Sequence, residues 1–237
     1  MTYTIQRAKE RGINKLSWLD SHFSFSFANY YNPKRMQFGA LRVLNDDIIA
    51  PASGFGMHPH DNVEVISVPI QGALTHEDSL GSKETITENM IQVMSAGTGL
   101  YHAEYNASET DDAHFLQIWI MPKEKGIPPK HKSTTISLQK NVMTKVVGGI
   151  NDTTELTIHQ DASLHLGAYT AETKETYTLP KGQGLFVFVI KGSIEILGET
   201  VSERDSIEIT EESTIDYTVK EDSKILIIEV PVQNHSE

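Results

Sequence analysis

Four residues of this 237-residue chain have the types and the spacing to hold a metal ion. In GFGMHPHDNVEV, His58 and His60 flank Pro59, and in SAGTGLYHAEYN, His102 and Glu104 stand in the same i, i+2 relation. Side chains two apart on extended backbone point to one side, and Pro59 steers the residue before it away from helical backbone. Each pair can therefore converge on an ion from a short, stiff piece of chain. Together the pairs offer three imidazole nitrogens and one carboxylate oxygen. That donor set suits Fe(II), Mn(II), Co(II), Ni(II), Cu(II) or Zn(II), whereas Ca(II) and Mg(II) prefer all-oxygen shells. Four protein ligands leave positions free on a five- or six-coordinate ion, as a redox or Lewis-acid centre requires. Each pair alone has a plainer reading, His-Pro-His as a histidine-rich turn and His102-x-Glu104 as a strand-edge pair. Gly54 and Gly56 precede the first pair and argue against a bulky wall there, which leaves an opening for a ligand.

The elements that must position these residues are strands. Residues 63–69 (VEVISVP), 91–94 and 114–120 (HFLQIWI) are short β-prone runs bounded by Gly, Asp, Asn and Pro. The same holds for 155–159, 163–169, 185–190, 193–197, 206–209, 214–219 and 224–230. Helical periodicity is weak throughout; its one candidate is 5–15, interrupted by Gly12. Many short strands imply a sandwich or barrel. A strand–Gly–strand pattern occurs twice, at Gln71-Gly72 and at Lys191-Gly192, and predicts two hairpins in two similar β-domains. Residues 121–132 (MPKEKGIPPKHK) carry Pro122, Pro128 and Pro129 and cannot be a central strand. They are either a linker, with the boundary within 121–140, or a surface loop of one continuous sandwich.

Composition narrows the chemistry. Without cysteine there is no disulfide, no thiolate nucleophile and no Cys-ligated zinc or iron–sulfur centre, so any ion rests on His and carboxylate. The 32 acidic and 20 basic side chains give a formal charge of -12. Residues 1–130 hold 15 acidic and 11 basic of these, and 131–237 hold 17 and 9, so the excess is spread out. Direct nucleic-acid binding, which needs a basic footprint, is not expected, nor is docking on an anionic membrane. No stretch reaches the roughly 18 apolar residues of a membrane helix, and no signal-type apolar core opens the sequence, so a cytoplasmic protein is expected.

Longer stretches carry a resemblance. WLDSHFSFSFANYYNP (18–33), FGALRVLNDD (38–47), GFGMHPHDNVEVISVPIQGALTHEDSLGS (54–82), IQVMSAGTGLYHAEYN (91–106) and LQIWIMP (116–122) with its following GIPP resemble the pirin family of bicupins. Bacterial members of that family include proteins with quercetin 2,3-dioxygenase activity. The likeness runs through the first half; the second half shares strand rhythm and approximate length. It implies an all-β bicupin of two tandem jelly-roll cupin β-barrels, with a metal-binding cupin in residues 1–130 and a cupin without a metal site in 131–237. It implies one divalent transition-metal ion, most often iron, on His58, His60, His102 and Glu104. It further implies opening of a flavonol ring with O2 and release of carbon monoxide. Animal relatives described as nuclear transcription cofactors suggest an alternative, a metal-containing, redox-responsive protein-binding module. A third reading is a storage or structural bicupin. Met57, Asn62-Val63 and the Tyr101 and Ala103 neighbours of His102 depart from the common family form and bear on the pocket lining rather than the ligands.

In the enzyme reading a flavonol binds as its enolate, and Glu104 is both ligand and general base; the alternative is that Glu104 only completes a static shell. Phe55, Met57, Met94 and Trp119 are candidates to pack a small aromatic substrate, with the core as the expected place of Met94 and Trp119. His76 and His114 are candidates for supporting or pocket roles, and Asp78 and Ser79 are expected to shape a turn. The second half holds His159, His165 and His235 without an HxH pair, and its acidic turns read as a solvated face.

Overall fold

The computed structural model describes residues 2–232; His235 lies outside them. Among the described residues the regular elements are strands, apart from one 3-10 turn at Ala8–Glu10. In order these are β1 (Thr2–Gln6), β2 (Gly12–Lys15), β3 (Leu19–Phe23), β4 (Leu41–Ile49), β5 (Gly54–His60), β6 (Glu64–Gln71), β7 (Ala73–Asp78), β8 (Lys83–Thr87), β9 (Met90–Ser95), β10 (Leu100–Asn106), β11 (Ala113–Ile120) and β12 (Lys130–Thr135). The second run comprises β13 (Thr144–Gly149), β14 (Leu156–Ile158), β15 (Ser163–Tyr169), β16 (Thr173–Thr178), β17 (Gln183–Lys191), β18 (Ser193–Ile196), β19 (Glu199–Ser202), β20 (Ser206–Thr210), β21 (Thr214–Val219) and β22 (Ser223–Pro231).

Four sheets form two sandwiches. The first pairs a seven-stranded sheet, β12-β9-β6-β11-β4-β3-β2, with a four-stranded sheet, β5-β10-β7-β8. The second repeats the plan as β1-β20-β17-β22-β15-β13-β14 with β16-β21-β18-β19. These are jelly-roll cupins built as open two-sheet sandwiches, not closed barrels. The two glycine patterns are indeed equivalent, but neither makes a hairpin. At Gly72 (φ 76°) and Gly192 (φ 79°) the chain leaves the large sheet (β6, β17) and enters the small one (β7, β18). A left-handed backbone at these corners is what only glycine adopts freely. The weak helical candidate at 5–15 is a strand, a single 3-10 turn at Ala8–Glu10, and a second strand.

The two large sheets lie back to back. Leu44, Ile66, Val68, Leu116 and Ile118 of the first pack with Leu164, Leu166, Phe186, Phe188, Leu226 and Ile228 of the second in one core cluster. The inward faces of the same strands serve their own sandwich, so β6, β11, β17 and β22 are buried on both faces and read as nearly continuous apolar runs. Two strands tie the halves further. β1 from the chain start pairs with β20 at the edge of the second large sheet, and β12 covers the corresponding edge of the first beside β9. The proline-bearing stretch runs outside both sheets from residue 121 to 129 and is pinned by Thr98 N–H to the Ile127 carbonyl (2.9 Å) and Lys123 N–H to that of His159 (2.7 Å).

A buried ion cluster spans the junction. Asp46 on β4 accepts from Arg11 (3.0 Å) and, on its other oxygen, from His114 (2.6 Å) and from Arg204 of the second sandwich (2.9 Å). His114, considered above for the pocket, thus sits at the interface between halves. Burial pushes the Asp46 carboxyl upward, but the His114 hydrogen bond and the charges of Arg204 and Arg11 outweigh it and hold the group at about 2. A carboxyl with a folded value below its ordinary 3.8 contributes stability that is complete above that ordinary value and lost as pH falls through the folded one. The contribution is about 2 kcal/mol, with the loss centred between about pH 4 and 2. Asp46→Asn should therefore lower unfolding free energy at pH 7 by about 3 kcal/mol and flatten the acid limb of stability against pH in urea titrations. An unchanged acid limb in Asp46→Asn would assign that limb to other carboxyls.

Candidate metal centre and its cleft

The four-stranded sheet of the first sandwich positions all four sequence-predicted ligands. β5 is its edge strand, where Pro59 costs no ladder hydrogen bond; β10 is its neighbour inside the sheet. His102 is paired directly opposite His58, and Leu100 opposite His60. His58 and His60 on the edge are half-buried, while His102 and Glu104 are 0% exposed. A bulge between His102 and Glu104 sets three steps on β5 against two on β10, so Glu104 pairs with Phe55. The extra residue turns Phe55, at odd spacing from His58, to the same side as that histidine, with ring centroids 6.4 Å apart.

The three imidazoles form a triangle with centroids 4.5, 4.7 and 4.9 Å apart. One nitrogen from each lies within 4.8 Å of the others. His58 Nδ1 faces the Gly56 carbonyl at 2.8 Å. A carbonyl only accepts, so this nitrogen carries the proton and His58 Nε2 presents its lone pair. His58 Nε2 and His102 Nε2 stand 3.0 Å apart. Two donors bound at right angles about 2.1 Å from one ion would be about 3.0 Å from each other. The buried Nε2 of His60 has no hydrogen-bond partner. These observations fit a cation centre. Burial and the neighbouring His58 lower His60 to about 4. Burial and the surrounding imidazoles lower His102 to about 2. Both are thus neutral, ligand-competent bases at pH 7.

Glu104 groups with His102 and His76 within the same 4.8 Å span, rather than with His58 and His60. Its carboxylate accepts from Ser67 Oγ (3.1 Å) and Gln117 Nε2 (2.5 Å). Burial pushes this carboxyl up to about 7 against those two hydrogen bonds. Ser67 and Gln117 belong to one cross-strand row of the facing sheet, Asn45–Gln117–Ser67–Gln92 over β4, β11, β6 and β9. Polar side chains of two sheets therefore meet in a layer at mid-sandwich. That layer separates an apolar cluster around Leu19, Ile49, Leu74, Ile86 and Phe115 from another around Val63, Val65, Met94, Ala96 and Leu100.

A cleft of about 410 Å³ opens beside the triangle, with His58, His60 and Glu104 in its wall. Trp18, Phe23, Phe27, Phe55 and Trp119 supply flat apolar surface. Of the four packing candidates, Phe55 and Trp119 line it, Trp119 standing edge-on to His60 at 4.9 Å. Trp119 is therefore a cleft residue and not only a core one. Met94 is fully buried behind the layer, and Met57 is 52% exposed and outside the lining. Trp18, Phe23 and Phe27 were not singled out in the sequence, and neither was Asp47. This carboxyl lines the cleft fully buried, accepts from Ser21 Oγ, and is pushed up to about 7 by burial against that bond, with Asp46 and Glu104 charges adding to the rise. Asp78 shapes the expected turn by accepting from Leu80 N–H (2.9 Å) and Ser82 N–H (3.0 Å), and Ser79 Oγ accepts from Tyr101 N–H.

Comparison with known proteins gives the family. The pirin family model matches residues 5–120, and a model described as the quercetinase C-terminal cupin domain matches 146–230. A quercetin 2,3-dioxygenase of Escherichia coli strain K12 is 37% identical over 227 residues, covering 96% of this chain and 98% of that protein. The chain belongs to the pirin family. A crystal structure of the bacterial pirin YhhW from Escherichia coli in complex with nickel(II) superposes with a TM-score of 0.93 at 37% identity, covering 98% of this chain and all of that one. A quercetin 2,3-dioxygenase structure from Acinetobacter baumannii, 23% identical with a TM-score of 0.73 over 90% of this chain and 74% of that one, shares the fold. Relatedness at the level of the Escherichia coli enzyme makes this pirin an oxidoreductase of the dioxygenase kind. The donors and the nickel-bound relative support one divalent metal.

The two glycines before His58 do different things. A Cβ on Gly54 would lie 2.3 Å from the Glu104 carbonyl oxygen and 2.6 Å from Tyr105 Cα, whereas nothing lies within 4 Å of one on Gly56. Only Gly56 marks open space; Gly54 permits close approach of β5 to β10. Gly54→Ala should therefore weaken Ni(II) binding at least tenfold by titration, and Gly56→Ala should leave it unchanged. His60→Ala should purify without metal, and a metal-replete, active His60→Ala protein would refute the centre.

Proposed function

We propose that this pirin is a metal-dependent dioxygenase of the quercetin 2,3-dioxygenase type, opening a flavonol or similar enolisable aromatic with O2. The ion, with iron(II) the first candidate and nickel(II) beside it, is held by His58, His60, His102 and Glu104. The observation that carries this reading is a triangle of imidazoles, with His58 and His60 in the wall of an aromatic cleft that also contains the buried Glu104 carboxyl. The cleft volume falls in the usual range for small-molecule sites, ~300–1,000 Å³.

When bound, a divalent ion stabilises the oxyanion of a substrate hydroxyl and so lowers its pKa. The side chains account for the rest. Trp18, Phe27, Phe55 and Trp119 hold a planar ring and keep water from it. Glu104 takes the hydroxyl proton on a carboxylate oxygen, and Ser67 and Gln117 keep that carboxylate in place. The unit of residues 1–130 carries the ion, and that of residues 131–237 carries none. Support for the second assignment comes from β16 and β21, which occupy the places of β5 and β10 in the second sandwich. There Glu175 accepts from Tyr169 (2.9 Å) and Tyr217 (2.6 Å), and Tyr177 donates to Glu229 (2.7 Å). All clusters of three or more candidate metal donors among the described residues lie in the first sandwich.

A second reading, the metal-containing protein-binding module, is favoured by Met57, Tyr101 and Tyr105, which stand exposed on the ligand-bearing strands. Turnover decides between the two. Protein loaded with iron(II) or nickel(II) and given quercetin in air should bleach the flavonol band with matching release of carbon monoxide. Glu104→Gln should retain detectable metal and lose about 100-fold or more of the rate. Stoichiometric metal with no turnover on any first-row ion would leave the module as the better reading.

A further inference from the structure

Behind the ligand triangle lies a line of groups that the proposed chemistry does not use. His76 and Asp78 on β7 repeat the i, i+2 spacing, and register places Asp78 opposite His102 and His76 opposite Glu104. All four side chains are buried. Asp78 Oδ1 is fixed by the Leu80 and Ser82 N–H groups, and Asp78 Oδ2 lies 3.0 Å from His76 Nε2. On its other side His76 Nδ1 is 3.2 Å from Gln92 Nε2 and 3.4 Å from His102 Nδ1. His131 of β12 stacks on the His76 ring, with centroids 4.4 Å and planes 9° apart.

His76, Asp78 and His131 could be read as a second metal site, since their donor atoms also cluster. The stacking argues against it. Imidazole lone pairs lie in the ring plane, so two nearly parallel stacked rings cannot both aim at one ion between them. With Asp78 ionised and His76 carrying a single proton, the hydrogen-bond chain has one set of directions instead. An ionised Asp78 only accepts, so His76 Nε2 carries a proton and His76 Nδ1 is an acceptor. Its one lone pair is shared by the amide of Gln92 (3.2 Å) and the Nδ1–H of His102 (3.4 Å). His102 Nε2 is then left unprotonated, and this is the atom 3.0 Å from His58 Nε2.

We propose that His76 and Asp78 are positioning residues for the metal centre: the chain Asp78–His76–His102 fixes the His102 tautomer and ring so that Nε2 faces the ion. The proposal rests on His102 being a ligand. Hydrogen bonding of this kind raises ligand basicity as well as aligning it, and its loss typically costs 10- to 100-fold in metal affinity. His131 contributes by stacking, which holds the His76 plane.

Asp78→Asn is the informative variant. Its oxygen can still cap the Leu80 and Ser82 turn, but its amide donates to His76 Nε2. The His76 proton then moves to Nδ1, facing the His102 proton and favouring protonation of His102 at Nε2. Ni(II) affinity measured by competition titration should fall at least tenfold in Asp78→Asn and in His76→Ala. His76→Asn, whose side-chain oxygen can replace the Nδ1 acceptor, should recover much of the loss. Imidazole ¹⁵N spectra of the metal-free proteins should show His102 protonated at Nδ1 in the parent and displaced from that tautomer in Asp78→Asn, with melting temperature reporting any general damage. Parent-like Ni(II) affinity and an unchanged His102 tautomer in a folded Asp78→Asn protein overturn the proposal. The control His102→Ala separates the two levels: if it abolishes Ni(II) binding, only the positioning chain has failed; if it too binds normally, the ligand assignment has failed.

Discussion

The constraint that organises this protein is the placing of charged and polar side chains in the middle of a β-sandwich, where water cannot solvate them. A buried polar atom without a partner is destabilising by about 1–3 kcal/mol, so each group in the layer must be answered by another. The answer comes from two sheets at once. Asn45, Gln117, Ser67 and Gln92 form a row on the large sheet, and His76, Asp78, His102 and Glu104 face them from the small one. Glu104 is held by Gln117 and Ser67, and His76 by Gln92 and Asp78. At the edge-strand side His60 Nε2 is orphaned and His58 and His102 oppose each other; His131 Nε2, Gln92 Oε1 and Asn45 Oδ1 are also without a partner. A cation held by His58, His60 and His102, as proposed above, would satisfy the nitrogens on that side.

Such a layer divides the apolar core of the first sandwich, and the second sandwich shows the contrast. Its interior is one cluster running from Tyr169 and Leu179 through Val187, Ile207 and Ile215 to Ile227. Its polar side chains gather in networks of Glu175 with Tyr169 and Tyr217, and of Glu229 with Tyr177, His165 and Ser163, closed largely by hydroxyl donors. The sandwich with the divided core recovers apolar burial elsewhere, through the shared cluster between the two large sheets. Docking the two sandwiches and maintaining the polar layer are therefore linked: the strands that carry the row on one face carry the interface on the other.

The sequence made much of this visible, because the signals are local. Strands at 163–169 and 214–219 coincide with β15 and β21, and the two His-x-His/Glu pairs lie where extended backbone puts them on one side. Less visible was everything that depends on which sheet a strand joins. Gly72 and Gly192 look like hairpin turns in sequence, yet the chain changes sheets at both. The bulge that brings Phe55 to the cleft violates the period of two and has no composition signal. Trp18, Phe23 and Phe27 come from a segment whose approach to the centre is a matter of tertiary packing. His76-Glu77-Asp78 did carry a signal, the same spacing as His102-x-Glu104, but only the register of β7 against β10 gives it a meaning.

The division of the proposed ligands between an edge strand and an inner strand has a functional consequence. His102 and Glu104 are locked on both sides, by β5 and β7, and have no exposure. His58 and His60 are bound through β5 to one neighbour only, next to a proline that leaves the outer edge unpaired and beside Gly56, whose surroundings are open. The inner pair can therefore set geometry and protonation, while the outer pair faces the direction from which an ion and a substrate enter. Reversing the two would place the half-exposed histidines under the polar layer and expose the carboxylate to water, where its ordinary pKa and solvation would not suit the base role proposed for it. The order of the strands in the small sheet thus sets which ligands are fixed and which are approachable.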